Sequence, residues 1–185
     1  MKEVVEQCRS RLVRAEPGEA CRLFHGRGHC YPGYENLVVN WLPPCLQVVF
    51  FNDVDEHEVS ETVDRLQAEL AEVTTIGAVI VQYRRGRGTV SEVLYGAVDE
   101  EIEVLEEGLR YVVQPLRNQH VGLFMDMAHI RTWLAPRVAG KRVLNLFAYT
   151  CAFSVSAVAH GASLVVNNDM AKNKPTCWLR RGCTT

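Results

Sequence analysis

Asp169 stands 22 residues beyond Phe147. Phe147 closes the apolar run Val143-Leu144-Asn145-Leu146-Phe147, and Asp169 follows the run Leu164-Val165-Val166-Asn167-Asn168. If both runs are parallel strands, the acid lies at the end of the second, about 20 residues past the turn that ends the first. A carboxylate so placed can accept hydrogen bonds from ribose hydroxyls, while the turn brings backbone amides close to the ligand. The turn, Phe147-Ala148-Tyr149-Thr150-Cys151-Ala152-Phe153, lacks G-x-G-x-x-G. Those glycines permit the closest backbone approach to a pyrophosphate, so their absence argues against a dinucleotide and suits a ligand without phosphates. An ordinary β-α-β unit, with Asp169 only capping the next segment, fits the same pattern.

Three other groups could do chemistry. Cys21, His25, His29 and Cys30 form a C-x3-H-x3-H-C cluster. Zinc asks for four ligands with tetrahedral reach, and the side chains of adjacent His29 and Cys30 diverge, so the expectation is loop residues and no metal. Cys151 lies at a helix start, where the dipole can lower a thiol pKa. Arg84, Arg85 and Arg87, beside Tyr83, sit at a hairpin tip that could meet RNA phosphates or could simply be solvated. The acidic run Asp99-Glu100-Glu101, with Glu103, Glu106 and Glu107, would repel RNA and reads as a solvated or edge-protecting face.

The elements that must position these groups are legible in outline. Residues 1–20 are polar with some helical periodicity. Residues 24–33 hold three glycines and a proline, which demands a loop with unusual backbone angles. Leu37–Trp41 and Leu46–Phe51 read as strands separated by Pro43-Pro44. Val59, Val63, Leu66 and Leu70 share one helical face, with Asp53 or Asp55 as its cap. Gly77–Tyr83 with Val90–Leu94, and Ile102–Leu105 with Leu109–Val113, read as hairpins. After Pro115 come a helix over 127–138, with Ile130, Trp133 and Leu134 on one face, a strand over 143–147, a helix over 150–160 ended by Gly161, and a strand over 164–166. The expectation is α/β: a 1–34 segment with the Gly-rich loop, a mixed α/β domain over 35–117, and the start of a parallel, Rossmann-like domain over 118–185.

Composition sets the bounds. The chain has 185 residues, 48% apolar and 23% charged, enough for a packed core. Twenty Lys+Arg against 22 Asp+Glu give a net charge of −2, which excludes a strongly basic module but allows a local basic patch. No apolar run approaches a membrane span, and the charged start Met1-Lys2-Glu3 does not read as a signal peptide. Seven cysteines without framework spacing then read as reduced thiols in a cytoplasm.

Asn145-Leu146-Phe147-Ala148-Tyr149-Thr150-Cys151-Ala152-Phe153-Ser154, then Gly161-Ala162, then Asp169-Met170-Ala171-Lys172, resembles motif I and the end of the second strand in class I S-adenosylmethionine-dependent methyltransferases. Val121-Gly122-Leu123-Phe124-Met125-Asp126-Met127 with Arg131 resembles the stretch that precedes motif I in the bacterial large-subunit ribosomal RNA methyltransferases, which modify guanine N7 or cytosine C5. Arg22-Leu23-Phe24-His25-Gly26-Arg27-Gly28 resembles N-terminal parts of some of these enzymes. The resemblance implies S-adenosylmethionine as cofactor and ribosomal RNA as partner. It assigns Asn145, Phe147, Tyr149 and Cys151 to the methionine side of the pocket, Asp169 to the ribose and Met170 to the adenine. Phe124, Asp126 and Arg131 would line the pocket, Arg131 facing the cofactor carboxylate. In the family this cysteine position lines the turn, so Cys151 is not expected as a nucleophile, and no catalytic residue is identified.

After Lys172 the resemblance fails, and Pro175 would break the family's next helix. Only the first two of the family's seven strands are recognisable. The expectation is a fragment, or a chain whose reading frame changed near residue 173, inactive alone and able to bury its incomplete sheet against itself or a partner chain. The alternative is a non-catalytic remnant or RNA-binding module.

Overall fold

The computed structural model describes residues 1–86, 88–117 and 119–170; Arg87, Lys172 and Pro175 lie outside them. Helix α1 (Lys2–Leu12) turns Val4, Val5, Cys8 and Leu12 inward. Strand β1 (Cys21–His25) follows, then a 3-10 turn over Gly26–Gly28. Only glycine fits position 26, since a Cβ there would lie 1.7 Å from the Tyr34 carbonyl oxygen. Strands β2 (Leu37–Leu42) and β3 (Cys45–Phe51) pair antiparallel across the Pro43-Pro44 turn. Asp55 accepts from the His57 amide and caps α2 (Glu56–Leu70), which buries Val59, Val63, Leu66 and Leu70 as their spacing predicts. The helix carries the chain over to β4 (Ala78–Arg85), parallel to β3, and β5 (Gly88–Gly96) returns along β4.

These strands form one sheet in the order β1-β2-β3-β4-β5. Helices α1 and α2 cover one face, packing on Leu23, Val39, Val48, Val79 and Val81. The other face presents Leu42, Cys45, Ala78 and Ile80 to the hairpin β6 (Ile102–Glu106) and β7 (Leu109–Val113), through Val104, Tyr111 and Val113. Val121, Leu123, Met125 and Val155 join the same cluster.

The boundaries expected at 34/35 and 117/118 are therefore each crossed by continuous apolar packing. β1 belongs to the central sheet, and the stretch before the second unit is anchored on the first. A further link is the bridge of Glu19 to Leu105, with the Ala20 amide donating to the Leu105 carbonyl at 2.8 Å.

Beyond 3-10 turns at Met125–Met127 and Ala135–Arg137 that flank α3 (Ala128–Leu134), the chain forms β8 (Arg142–Leu146), α4 (Ala152–Ala159) and β9 (Leu164–Asn168). β8 and β9 pair in parallel, Asn145 opposite Asn167. The face of α3 differs from its apolar pattern. Ile130 and Trp133 are 47% and 57% exposed, while Arg131 is 3% exposed. The reason is electrostatic: the Arg131 guanidinium clasps Glu106, Nε to Oε1 at 2.5 Å and Nη2 to Oε2 at 2.6 Å, and also donates to the Phe124 carbonyl. Two charges taken out of water need each other, and that requirement sets which side of a seven-residue helix turns inward. Glu106 is correspondingly buried, not part of a solvated acidic face. Among the described residues no helix is long and apolar enough to cross a membrane.

Candidate cofactor-binding site

The turn between β8 and α4 is held in an unusual backbone shape. Phe147, Tyr149 and Cys151 have φ of 56°, 51° and 64°, the left-handed region that side-chain-bearing residues seldom adopt. Alternating these with ordinary angles curls the chain sharply over the strand end. The Ala148 amide donates to the Asn168 carbonyl at 3.2 Å, and the Cys151 amide to the Ala148 carbonyl at 2.7 Å. The Tyr149 amide donates to Asp169 Oδ2 at 2.7 Å. The acid and the turn paired by their spacing in the sequence are thus in direct contact.

Beneath the turn, Asn145 Nδ2 donates to Ser154 Oγ at 2.8 Å and to Asn167 Oδ1 at 3.2 Å, and Ser154 Oγ donates to Asn167 Oδ1. Asn145 therefore ties β8, β9 and α4 together and supports the turn from below. Phe147, at the start of the turn, and Met170, next to Asp169 in the chain, are 80% and 88% exposed.

The stretch 119–126 forms a wall on the other side of Tyr149. The Tyr149 hydroxyl donates to the His120 carbonyl at 3.2 Å, and Thr150 Oγ1 to the Gly122 carbonyl at 2.5 Å. The Phe124 ring lies 5.2 Å from the Tyr149 ring and 4.9 Å from His120. Burial raises the Tyr149 phenol above its ordinary pKa. Asp126 turns away to Arg22, 3.7 Å from its Nη2. Arg131 is engaged by Glu106 behind Phe124, so its guanidinium is not presented to a cofactor carboxylate as the motif suggests. A cavity lined by Glu106, Tyr111, Arg131, Thr132, Ser156 and His160 shares no residue with the turn.

Two of the hairpin arginines have partners within the fold. Arg85 Nε pairs with Asp53 Oδ1 at 3.0 Å, and its guanidinium lies over Tyr83. Arg84 leans inward, donating to Gln82 Oε1 and to the Gln119 carbonyl. The contacts of Thr150, His120 and Glu106 escaped sequence reasoning because they span 25 or more residues. Cys30 Sγ donates to the Gly28 carbonyl, and among the described residues no three His, Cys, Asp or Glu side chains are grouped to hold a metal.

Residues 21–182 match the family model described as S-adenosylmethionine-dependent methyltransferase. The chain belongs to that family. A Bacillus subtilis member, "Putative ribosomal RNA large subunit methyltransferase YwbD", is 29% identical over 182 residues, covering 89% of this chain and 42% of that protein. Ribosomal RNA large subunit methyltransferase I of Aeromonas hydrophila is 39% identical over 98 residues, 51% of this chain and 24% of that one. Among solved structures, SMU.776, "a putative methyltransferase complexed with SAH", superposes with a TM-score of 0.73 at 28% identity, over 92% of this chain and 43% of the other. The chain thus spans less than half the length of these family members.

The donor set at the turn fits the family's cofactor. Backbone amides, a strand-end carboxylate and exposed apolar side chains match an adenosine with a zwitterionic tail.

Proposed function

We propose that this chain binds S-adenosylmethionine at the β8–α4 turn and contributes that cofactor site to methyl transfer to a base in ribosomal RNA, in the cytoplasm, without carrying out the transfer alone. The observation that carries this reading is the contact between the Tyr149 amide and Asp169. It shapes the turn and fixes the carboxylate in one step. An ionised carboxylate offers about four acceptor sites, so accepting from Tyr149 leaves capacity for ribose hydroxyls. In this reading Met170 and Phe147 flank the adenine, and Tyr149, Phe124 and Cys151 border the methionine side. Asn145 acts from below as a positioning residue, holding strand and helix in register.

The cofactor, when bound, supplies a methyl group on a positively charged sulfur. What this chain adds is orientation: a rigid turn, an aromatic wall and a fixed carboxylate hold the donor so that transfer becomes a matter of alignment. RNA as acceptor is supported by the names of the relatives given above, which are ribosomal RNA large subunit methyltransferases.

Titration calorimetry with S-adenosylmethionine and S-adenosylhomocysteine tests the reading. Saturable binding of both, weakened by Asp169→Ala, supports it. No binding to the folded chain removes it.

A further inference from the structure

β1 and β3 run the same way, because each is antiparallel to β2, and β4 is parallel to β3. The C-terminal ends of all three strands therefore meet at one edge of the sheet. That edge brings together Arg27 just past β1, Phe51 at the end of β3 and Arg84 near the end of β4. The Arg27 guanidinium lies 4.1 Å from the Phe51 ring centre, and that of Arg84 lies 5.1 Å from the same ring. Arg22 stands behind them in β1, its Nε donating to Asn40 Oδ1 at 3.2 Å. Arg11 donates to the Arg22 carbonyl, and His25 closes the strand.

The charges at this edge do not cancel. Asp126 faces Arg22, and Asp53 is taken by Arg85. Among the described residues no carboxylate oxygen lies within 4.0 Å of the Arg27 or Arg84 guanidinium. Burial, and then the neighbouring guanidiniums, lower the pKa of Arg84 from its ordinary value; burial, Arg22 and Arg27 do the same to His25. Arginine nevertheless remains charged, so the cluster is a standing positive field.

The edge is also joined to the cofactor wall. Arg84 Nη2 donates to the Gln119 carbonyl at 2.6 Å, and Arg22 reaches Asp126. Those contacts meet the same 119–126 stretch that holds Tyr149 and Thr150 from its other side.

We infer that Arg22, Arg27 and Arg84, braced on Phe51, form a phosphate-binding edge that holds the backbone of single-stranded RNA next to the nucleotide presented to the β8–α4 turn. This rests on the reading of RNA as the acceptor. The exposed Arg27 guanidinium can meet phosphate oxygens in a bidentate way, while Arg22 and Arg84, whose Nε and Nη2 groups are engaged within the fold, add positive charge and their remaining N–H donors. A single strand suits a target base that must leave its neighbours to reach a pocket.

Fluorescence anisotropy with a short labelled single-stranded RNA, across a salt series, tests the inference. The variants are Arg27→Gln and Arg27→Lys, with Arg65→Gln, at an exposed position of α2, as a control for net charge. Each phosphate contact on a single strand contributes about 0.7 to the slope of log affinity against log salt. Arg27→Gln is expected to flatten the slope by about 0.7 and to weaken binding about fivefold near ~0.1 M salt. Arg27→Lys should keep most of the slope, and Arg65→Gln should match the parent. S-adenosylmethionine affinity should not move in Arg27→Gln, because Arg27 is exposed and apart from the β8–α4 turn, and the urea midpoint should fall only slightly, by the loss of one exposed cation–π contact with Phe51. If the parent binds RNA and Arg27→Gln binds it with the same affinity and slope, the edge is not the site. If the parent binds no RNA at all, the acceptor reading fails first and the edge falls with it.

Discussion

The Tyr149 amide and the Asp169 carboxylate meet at 2.7 Å across 20 residues of chain. One carboxylate thereby shapes the backbone of the turn and, in the reading proposed above, also holds the ribose. Asp169→Ala removes both functions. Hydrogen bonds to a charged group are worth about 1.5–3 kcal/mol, so affinity for S-adenosylmethionine is expected to fall roughly tenfold to a hundredfold. Calorimetry reads this directly, and an unchanged dissociation constant would remove Asp169 from the site. Asp169→Asn keeps an oxygen acceptor for Tyr149 and should lose less.

Cys151 caps α4 with φ 64° and ψ 24°. A side chain in that region costs about 1–2 kcal/mol, and glycine does not pay it. Cys151→Gly is expected to hold or raise the urea midpoint, whereas Cys151→Val, branched at Cβ, should lower it. A midpoint that falls in both alike would mean that the thiol's contacts outweigh the backbone conformation.

Arg131 and Glu106 are a buried pair linking α3 to the end of β6. Removing one partner strands the other charge. Arg131→Met alone is expected to cost about 3–5 kcal/mol in urea unfolding. Arg131→Met combined with Glu106→Leu should recover much of that loss, because no uncompensated charge stays buried. Additive losses would contradict the pairing.

What the sequence disclosed follows the range of the interactions involved. The strands, the α2 face and its Asp55 cap depend on neighbours a few residues apart, and pattern alone finds them. The contact between the turn and Asp169 was legible because the β-α-β connection fixes their separation. Arg131 was legible as part of a motif but not in its contacts, since its partner Glu106 lies 25 residues upstream in a run that looked solvated. The basic edge was hidden for a related reason. Arg27 and Arg84 meet on Phe51 only because β1, β3 and β4 end on the same side, a fact of sheet order rather than of local pattern.

Cys8 is fully buried between α1 and the sheet, and burial raises its thiol pKa from 9.0 to about 12; Cys21 rises to about 11 for the same first cause. A raised folded-state pKa means that the folded chain keeps protons the unfolded chain has released. The associated stability is complete below pH 9 and drains away as pH climbs toward the folded values. Between pH 8 and pH ~10.5, Cys8 alone is expected to withdraw about 2 kcal/mol. Urea midpoints at the two pH values check this: the parent should lose more than Cys8→Ala, whatever their difference at pH 8.

β8 and β9 form a two-stranded parallel sheet among the described residues, with Leu144, Leu146, Leu164 and Val166 exposed. Parallel strands are ordinarily covered on both faces, and each such side chain gains about 1.5–3 kcal/mol when buried. Several uncovered at once weigh heavily against net stabilities of about 5–15 kcal/mol. By contrast β3 and β4 are covered on both faces by the two apolar clusters. Hydrogen exchange on the 185-residue chain should therefore show β3 and β4 amides protected to the global limit and β8 and β9 amides exchanging through local opening. A donor held at the proposed site on a unit that opens locally is oriented poorly, so this chain alone is expected to transfer no labelled methyl group to ribosomal RNA above background. Equal protection of both sheets, together with transfer abolished by Asp169→Ala, would overturn this and make the two-stranded unit sufficient for catalysis.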